Sequence, residues 1–590
     1  MSLLRHAAHK SDTDKNPGQS KPSIEIHDLS DDEISSEVEF PVDILQAMPA
    51  NTHSDNGSNA QHTLTSAEHE DGNTFFDPEL DPNAAIDAIQ TLQASIVDLA
   101  SQGVQIIRQS HTIDLCVIDL IPSFCNVPFY FYYKNTGGDH DFMPSELLRE
   151  SFYVSLLDFP ILAGRLVTVA PGHIKVVVDK ENLNLPEYRE SQSDVHFSEL
   201  QATKFGCKIL PGGVATVSSV TTAGADGTIK LANIHIVRLH ENSGVVVFAS
   251  IAHYIVDGTG YCQFISRWAE VCKWMQRGSV AGELPAFSAG FLRSTIYSHL
   301  PIERKELDEG TKAMMSTQGL LSRWLAWISP EFRGSVLSLL PTMASGEGHA
   351  FHISTRALAS LHTMVKDYIP GDERISDNDI LTALISMLVA QCESLEMSAS
   401  SKKGYLASLG AYLLPSMFTT PVVFSTQVVV DLRPRLEGLG SAKYSGNSVV
   451  TQSVNNPTQS MCGAISGQTL AQVARSVRRM VSGTDAAFLG QLVEETSKKP
   501  EQYTNILAHV LTTPSLVVSN ISRFAFYGVD FGGGIPAYVC PLVRMLVTFA
   551  VILPVHPSLG GYGIHITMTK QAMARLLMNE FWMDIVELLY

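Results

Sequence analysis

His253 and Asp257 stand in the run Ala252-His253-Tyr254-Ile255-Val256-Asp257-Gly258, an HxxxDG spacing whose imidazole could move a proton near neutral pH. Free imidazole titrates at about 6.5, so it takes and returns a proton with little bias. The spacing alone is not selective. A chain with 20 histidines yields about one HxxxD by chance, and His27-Asp28-Leu29-Ser30-Asp31 repeats the pattern in an acidic stretch with nothing to exclude water. Context separates the two. His253 closes the apolar run Val245 to Ile251, and Gly258-Thr259-Gly260 leads into an amphipathic helix. A histidine at the mouth of a buried strand is held rigidly and can face a cleft. It can equally be a core histidine satisfied by a backbone carbonyl. Asp257 either orients the ring, as in a triad, or pairs with an arginine and shapes the loop. The local spacing leaves both open.

Two further elements carry unusual chemistry. Asp530-Phe531-Gly532-Gly533-Gly534 places three glycines after an Asp-Phe pair, which implies special backbone angles or the close approach of another surface. Asp431-Leu432-Arg433-Pro434-Arg435-Leu436 sets two arginines beside an aspartate, followed by Ser445-Gly446-Asn447. Such a cluster is ordinarily a solvated ion-pair group, or here the partner that Asp257 needs. The chain has no GxSxG elbow, GxxxxGK[ST] phosphate loop, HExxH helix or GxGxxG opening a helix, so serine hydrolase, P-loop and zincin chemistry lose their support and no metal site is expected.

These residues need strands and helices to hold them. Val127 to Tyr132, His173 to Val178, Thr228 to Leu239 and Gly244 to Ala252 read as strands. Ser145 to Leu157 and Gly260 to Met275 read as helices, the second with Phe264, Ile265, Trp268, Val271, Cys272 and Met275 on one face. Residues 297–350 are richer in charge and Gly/Ser, carry helical pieces (Leu320 to Ile328, Ser335 to Leu340) without strands, and read as a crossover. Beyond it the mixture repeats, with helices at Thr355 to Tyr368, Ser376 to Cys392, Ser466 to Val481 and Lys570 to Trp582, and strands at Ser425 to Leu432 and Val547 to Leu553. Mixed elements in both halves imply an α/β body of two lobes.

The 590 residues carry a formal charge of −19, and residues 1–110 hold 19 acidic against 5 basic side chains, leaving only −5 for the rest. The excess is a tail. Residues 1–83 are too polar to offset chain entropy and are expected to be disordered, whereas 84–110 carry apolar residues at helical spacing. An acidic chain has little means of displacing counterions from a phosphate backbone, so nucleic acid is not an expected partner. Met1 to His9 lacks a secretory apolar run, and Met545 to Leu553 is about half a membrane span, so no membrane span is expected. The 8 cysteines show no CxxC pair, which favours reduced core thiols and a cytoplasmic protein.

Taken in chain order, the set resembles the plant and fungal CoA-dependent acyltransferases called BAHD, with HxxxDG in the middle and DFGWG near the end. Phe159 to Leu166 is similar to the family's PLAGR segment, Asp431 to Leu436 to its DLRxRL strand, Gly446-Asn447 to the following GN, and Ser376, Asp379, Leu381, Thr382, Ala383 and Leu384 to its SxxDxLTAL helix. The resemblance spans about residues 110–590. It implies two similar chloramphenicol-acetyltransferase-like lobes with mixed sheets, 111–296 and 351–590, enclosing a central channel. Acyl-CoA would serve as co-substrate, with no permanently bound cofactor, and a small-molecule acceptor would enter from the other face. His253 would be the general base, acting through a tetrahedral intermediate without an acyl-enzyme. Asp257 would point away from substrate and pair with an arginine, Arg433 in preference to Arg435. Gly258, Asp530, Gly532 and Gly534 would support the site structurally, shaping the lobe contact and the CoA entrance. The chain departs from the family at Gly533, where the usual residue is Trp, so the oxyanion donor is left unnamed. A buried channel needs no second subunit, and a monomer is expected. Two other readings stay open: a condensation-type enzyme using carrier-bound acyl groups, against which Ala252 stands where a second histidine is usual, and a catalytically lapsed binding scaffold.

Overall fold

The structure is a computed structural model and describes residues 110–589 apart from 121, 123–124, 171–172, 206–227, 279–283, 285, 288, 292, 317–345, 401–422, 440–442, 500–514 and 542–547. The expected acidic tail (1–83) and the expected helix over 84–110 lie outside the described residues, Ser110 apart, as do the helical pieces anticipated within 317–345.

In chain order the principal elements are β1 (His111–Asp114), β2 (Asn126–Lys134), α1 (Ser145–Ser155), β3 (Arg165–Ala170), β4 (His173–Val178), β5 (Glu187–Gln192), β6 (Ala232–Arg238), β7 (Gly244–Ala252) and α2 (Gly258–Gln276). There follow β8 (Gly346–Ile353), α3 (Thr355–Val365), α4 (Asp377–Ser400), β9 (Val423–Asp431), β10 (Val449–Pro457), α5 (Gly467–Gly483), α6 (Ala486–Lys498), β11 (Ser515–Asn520) and β12 (Tyr538–Pro541). The chain closes with β13 (Thr548–Leu553), β14 (Tyr562–Thr569), α7 (Lys570–Leu577), α8 (Glu580–Ile585) and β15 (Val586–Leu588).

Among the described residues these strands make three sheets, in the orders β12-β2-β7-β6-β5, β10-β9-β11-β13-β14-β8-β15 and β1-β4-β3. The first two are mixed. In the five-stranded sheet β5 runs parallel to β6 while the other neighbours are antiparallel, and in the seven-stranded sheet β11 runs parallel to both β9 and β13. Each of these two mixed sheets anchors one lobe, which makes the fold α/β with two lobes. All nine residues of β7 are buried, as a central strand covered on both faces requires. Its apolar residues and those of β2 meet α1 and α2, where Trp268 is fully buried and its indole N–H donates to the carbonyl of Leu148 and to Ser151 Oγ, both at 3.1 Å. In the second lobe Ile380 to Ala390 of α4 are buried on every side, because the helix lies between its sheet and helices α5 and α7.

One strand crosses between the lobes. β12 belongs by sequence to the C-terminal half but pairs with β2, Tyr538 opposite Tyr132 and Pro541 opposite Phe129. Proline is tolerated there because β12 is the edge of its sheet. β8 begins at Gly346, within residues 297–350. The helix expected over Lys570 to Trp582 is two helices, because Asn579 caps the second by accepting from the Trp582 N–H at 2.9 Å. The strand expected from Thr228 is shorter, spanning Ala232–Arg238.

Candidate active site

His253 is the first residue beyond β7, and its backbone N–H donates to the Cys125 carbonyl at 3.0 Å, fixing the strand exit. The chain then turns through buried Tyr254, Ile255 and Val256 to Asp257, which caps α2 by accepting from the N–H groups of Thr259 (3.0 Å) and Gly260 (3.1 Å). The glycines that open α2 admit close neighbours. A Cβ on Gly260 would lie 1.9 Å from the Ser445 carbonyl oxygen, and one on Gly258 would lie 2.5 Å from the Phe524 ring.

Asp257 is fully engaged away from the imidazole. Arg433 grips it with two parallel bonds, Nη1 to Oδ2 at 2.8 Å and Nη2 to Oδ1 at 3.0 Å, and the Ser448 N–H adds a third at 2.9 Å. Burial would raise the Asp257 carboxyl, and the Arg433 guanidinium with the surrounding N–H donors more than offsets it, so the group lies below the usual carboxylate range. Arg433 also donates to the carbonyls of Tyr444 and Gly446, tying the loop before β10 to the HxxxDG turn. Arg435 is placed elsewhere, donating to the carbonyls of Val481 and Thr484.

The ring of His253 has a different partner. Its Nδ1 lies 3.1 Å from Asn447 Oδ1, while Asn447 Nδ2 donates to the His253 carbonyl at 2.8 Å and to Asp119 Oδ1 at 3.0 Å. An amide oxygen only accepts, so this contact is a hydrogen bond in the tautomer that carries the hydrogen on Nδ1 and leaves Nε2 its lone pair. Burial holds His253 below the ordinary imidazole value, although the nearby Asp257 charge and the ring's hydrogen bonds pull the other way.

His253 is partly accessible and lines a cavity of about 810 Å³ walled by both lobes. Phe129 and Pro128 of β2 face it from one lobe, Val517 and Val551 of the large sheet from the other. Ser376 to Asp379 at the start of α4 line it too, as does the exposed Arg523. A second cavity of about 460 Å³ shares Thr259, Arg523 and Phe524 with the first.

The glycine cluster does not line either cavity. Asp530 Oδ1 accepts from the N–H groups of Gly532 (2.8 Å) and Gly534 (2.9 Å), and Lys273 of α2 reaches Oδ2 at 3.3 Å. Phe531 is buried edge-on to Trp268 with ring centroids 4.7 Å apart, and its carbonyl accepts from Cys272 Sγ. Gly532 and Gly534 have φ of 98° and 91°, the left-handed region that glycine enters without strain. A Cβ on Gly533 would lie 2.8 Å from Met143 Cγ and from Phe142. The loop therefore fastens the C-terminal half of the sequence onto α2.

Sequence reading missed Asp119 and Arg293, and took Asn447 only as part of the Gly446-Asn447 likeness, without a role. The signal was present for Asp119, a lone carboxylate inside the apolar run Leu115 to Leu120, which demands a buried partner. Among the described residues no group of three or more His, Cys, Asp or Glu could hold a metal ion, and no helix is long and apolar enough to cross a membrane.

Residues 105–287 and 418–580 match the family model described as Transferase family. Among curated proteins the chain is 19% identical over 465 residues to a hydroxycinnamoyltransferase of Narcissus pseudonarcissus, covering 78% of this chain and 92% of that one. It is 23% identical over 401 residues to the BAHD acyltransferase DCR of Arabidopsis thaliana, covering 67% and 70%. Among solved structures, TRI101 of F. graminearum, described as complexed with coenzyme A and T-2 mycotoxin, superposes with a TM-score of 0.59 at 14% identity, over 81% of this chain and 100% of that one. With more than half of its length matched by the family model, the chain belongs to the Transferase family of BAHD acyltransferases.

Proposed function

We propose that the protein moves an acyl group from acyl-CoA to a hydroxyl, or an amine, of a small-molecule acceptor, with His253 as general base. The observation that carries this reading is His253 at the cavity wall with Nδ1 engaged by Asn447, which leaves Nε2 as the proton acceptor. The coenzyme A in the TRI101 complex supports acyl-CoA as the donor, and the T-2 mycotoxin in the same complex supports a small acceptor.

In this reading the acceptor O–H donates to His253 Nε2. The oxygen attacks the thioester carbonyl carbon as the proton passes to the ring. The tetrahedral oxyanion then collapses, the C–S bond breaks, and the thiolate of CoA takes the proton back from Nε2–H. Burial serves this cycle by keeping the resting imidazole neutral. General base catalysis of this kind contributes about 10²–10⁴-fold, and fixing both substrates in one cavity supplies much of the remainder. Asp257 with Arg433 holds the turn that carries His253, and Gly258, Asp530, Gly532 and Gly534 fix the elements around it.

The test is thiol release from a panel of acyl-CoAs in the presence of candidate alcohols and amines, without any carrier protein. Acceptor-dependent release by the wild type, lost in His253→Ala at an unchanged melting temperature, is the expected result. Substantial transfer by purified His253→Ala overturns the base assignment, and absence of acyl-CoA binding in an isotherm overturns the donor.

A further inference from the structure

Asn447 can present either end of its amide to His253, and the two choices have opposite chemical consequences. With Oδ1 toward Nδ1 the ring carries its hydrogen on Nδ1 and offers a lone pair at Nε2. With Nδ2 toward Nδ1 the hydrogen is driven to Nε2, and the ring cannot accept a proton there. What decides between them lies on the far side of the amide. Nδ2 faces two oxygens that only accept, the His253 carbonyl at 2.8 Å and Asp119 Oδ1 at 3.0 Å. Turning the amide over would set Oδ1 against both, losing two bonds and placing oxygen beside a carboxylate.

Asp119 cannot turn to relieve that conflict. It is fully buried on the four-residue helix Val117–Leu120, and the Cys116 N–H donates to its Oδ2 at 2.8 Å. Arg293, 4% exposed, holds it with Nε on Oδ2 and Nη2 on Oδ1, both at 2.8 Å. The same guanidinium is braced by the Phe291 carbonyl at 2.6 Å and lies 3.4 Å from the carbonyl of Tyr254, the residue after His253. A carboxylate held in a bidentate arginine pair presents acceptor lone pairs to its other neighbours. Three segments far apart in sequence thus converge behind one imidazole: the start of the N-terminal lobe, the chain after α2, and the loop of the C-terminal lobe before β10.

We propose that Asp119, clamped by Arg293, is a positioning residue that dictates the orientation of Asn447 and through it the tautomer of His253. None of Asp119, Arg293 and Asn447 lines the cavity. The consequence for rate rests on the base role proposed for His253, but the tautomer itself does not and can be read without substrate.

The experiment is nitrogen NMR of the full-length protein labelled with 15N-histidine, the His253 signals being those missing in His253→Gln. The expected wild-type spectrum has a protonated Nδ1 and a lone pair on Nε2. Asp119→Asn, whose amide can donate as well as accept, should bring in the Nε2–H form and lower kcat by about 10²-fold with KM for acyl-CoA little changed. If burying an unpaired Arg293 prevents that variant from folding, Asp119→Asn combined with Arg293→Gln removes both charges and is read the same way. A wild-type ring protonated on Nε2 overturns the proposal, and so does a folded variant that keeps the wild-type tautomer, whatever its kcat. Transfer persisting in His253→Ala would instead defeat the base role and leave the tautomer result standing.

Discussion

Burial sets the working pH of His253. Because desolvation disfavours the imidazolium, the folded protein takes this proton only below the ordinary value of about 6.5. In the proposed cycle the protonated ring cannot accept the acceptor's hydrogen, so kcat/KM should hold its plateau below pH 6.5 and fall only at the depressed value. A pH profile of acyl transfer with its acid midpoint at or above 6.5 would contradict this. The neighbouring carboxylate behaves differently. Asp257→Ala leaves the buried Arg433 only the partly exposed Asp431, 3.2 Å from its Nη1, as counter-charge and should cost about 3 kcal/mol in a denaturant titration, whereas His253→Ala should leave the midpoint nearly unchanged. At this scale the sequence was partly legible. His253, Asp257 and Arg433 sit in short motifs whose residue types announce their chemistry. Asp119 and Arg293 do not, because their meaning lies in Asn447, 328 residues from Asp119.

Among elements, the loop Asp530 to Gly534 shows how a departure from the family pattern can be accommodated rather than lost. Phe142 and Met143 occupy the space beside Gly533 where a larger side chain would extend. Gly533→Trp, which restores the usual family residue, should therefore strain this contact and lower stability by about 1–3 kcal/mol, with no gain in transfer rate; thermal unfolding beside an activity assay checks both. Strand β7 and helix α2 were readable from pattern alone, one as an unbroken apolar run and the other as a helical stripe. The break between α7 and α8 was not, since the apolar spacing runs on through it and only the capping side chain of Asn579 ends one helix and starts the next. Arrangement in the sheets was also hidden: no local pattern says that Tyr538 to Pro541 should pair with Phe129 to Tyr132.

The whole molecule should respond to acid through a residue remote from the chemistry. His565 on β14 is pushed down to about 4 by burial, with His349 adding to the effect. Its contribution to stability is complete above pH 6.5 and is lost as pH falls, because the unfolded chain binds a proton that the folded one refuses. The loss reaches about 3 kcal/mol below pH 4, and His565→Gln should flatten that part of the urea-midpoint profile. An unaltered profile in the variant would assign the acid sensitivity to other groups. The crossing of β12 onto β2 also governs how the chain is made. On the ribosome the first sheet must wait, its outer rim bare, until residue 541 has emerged, long after its other four strands have been synthesised. A nascent chain halted before that point exposes an aromatic-rich edge ready to pair with a stranger, so premature termination should yield insoluble product instead of a half-sized enzyme.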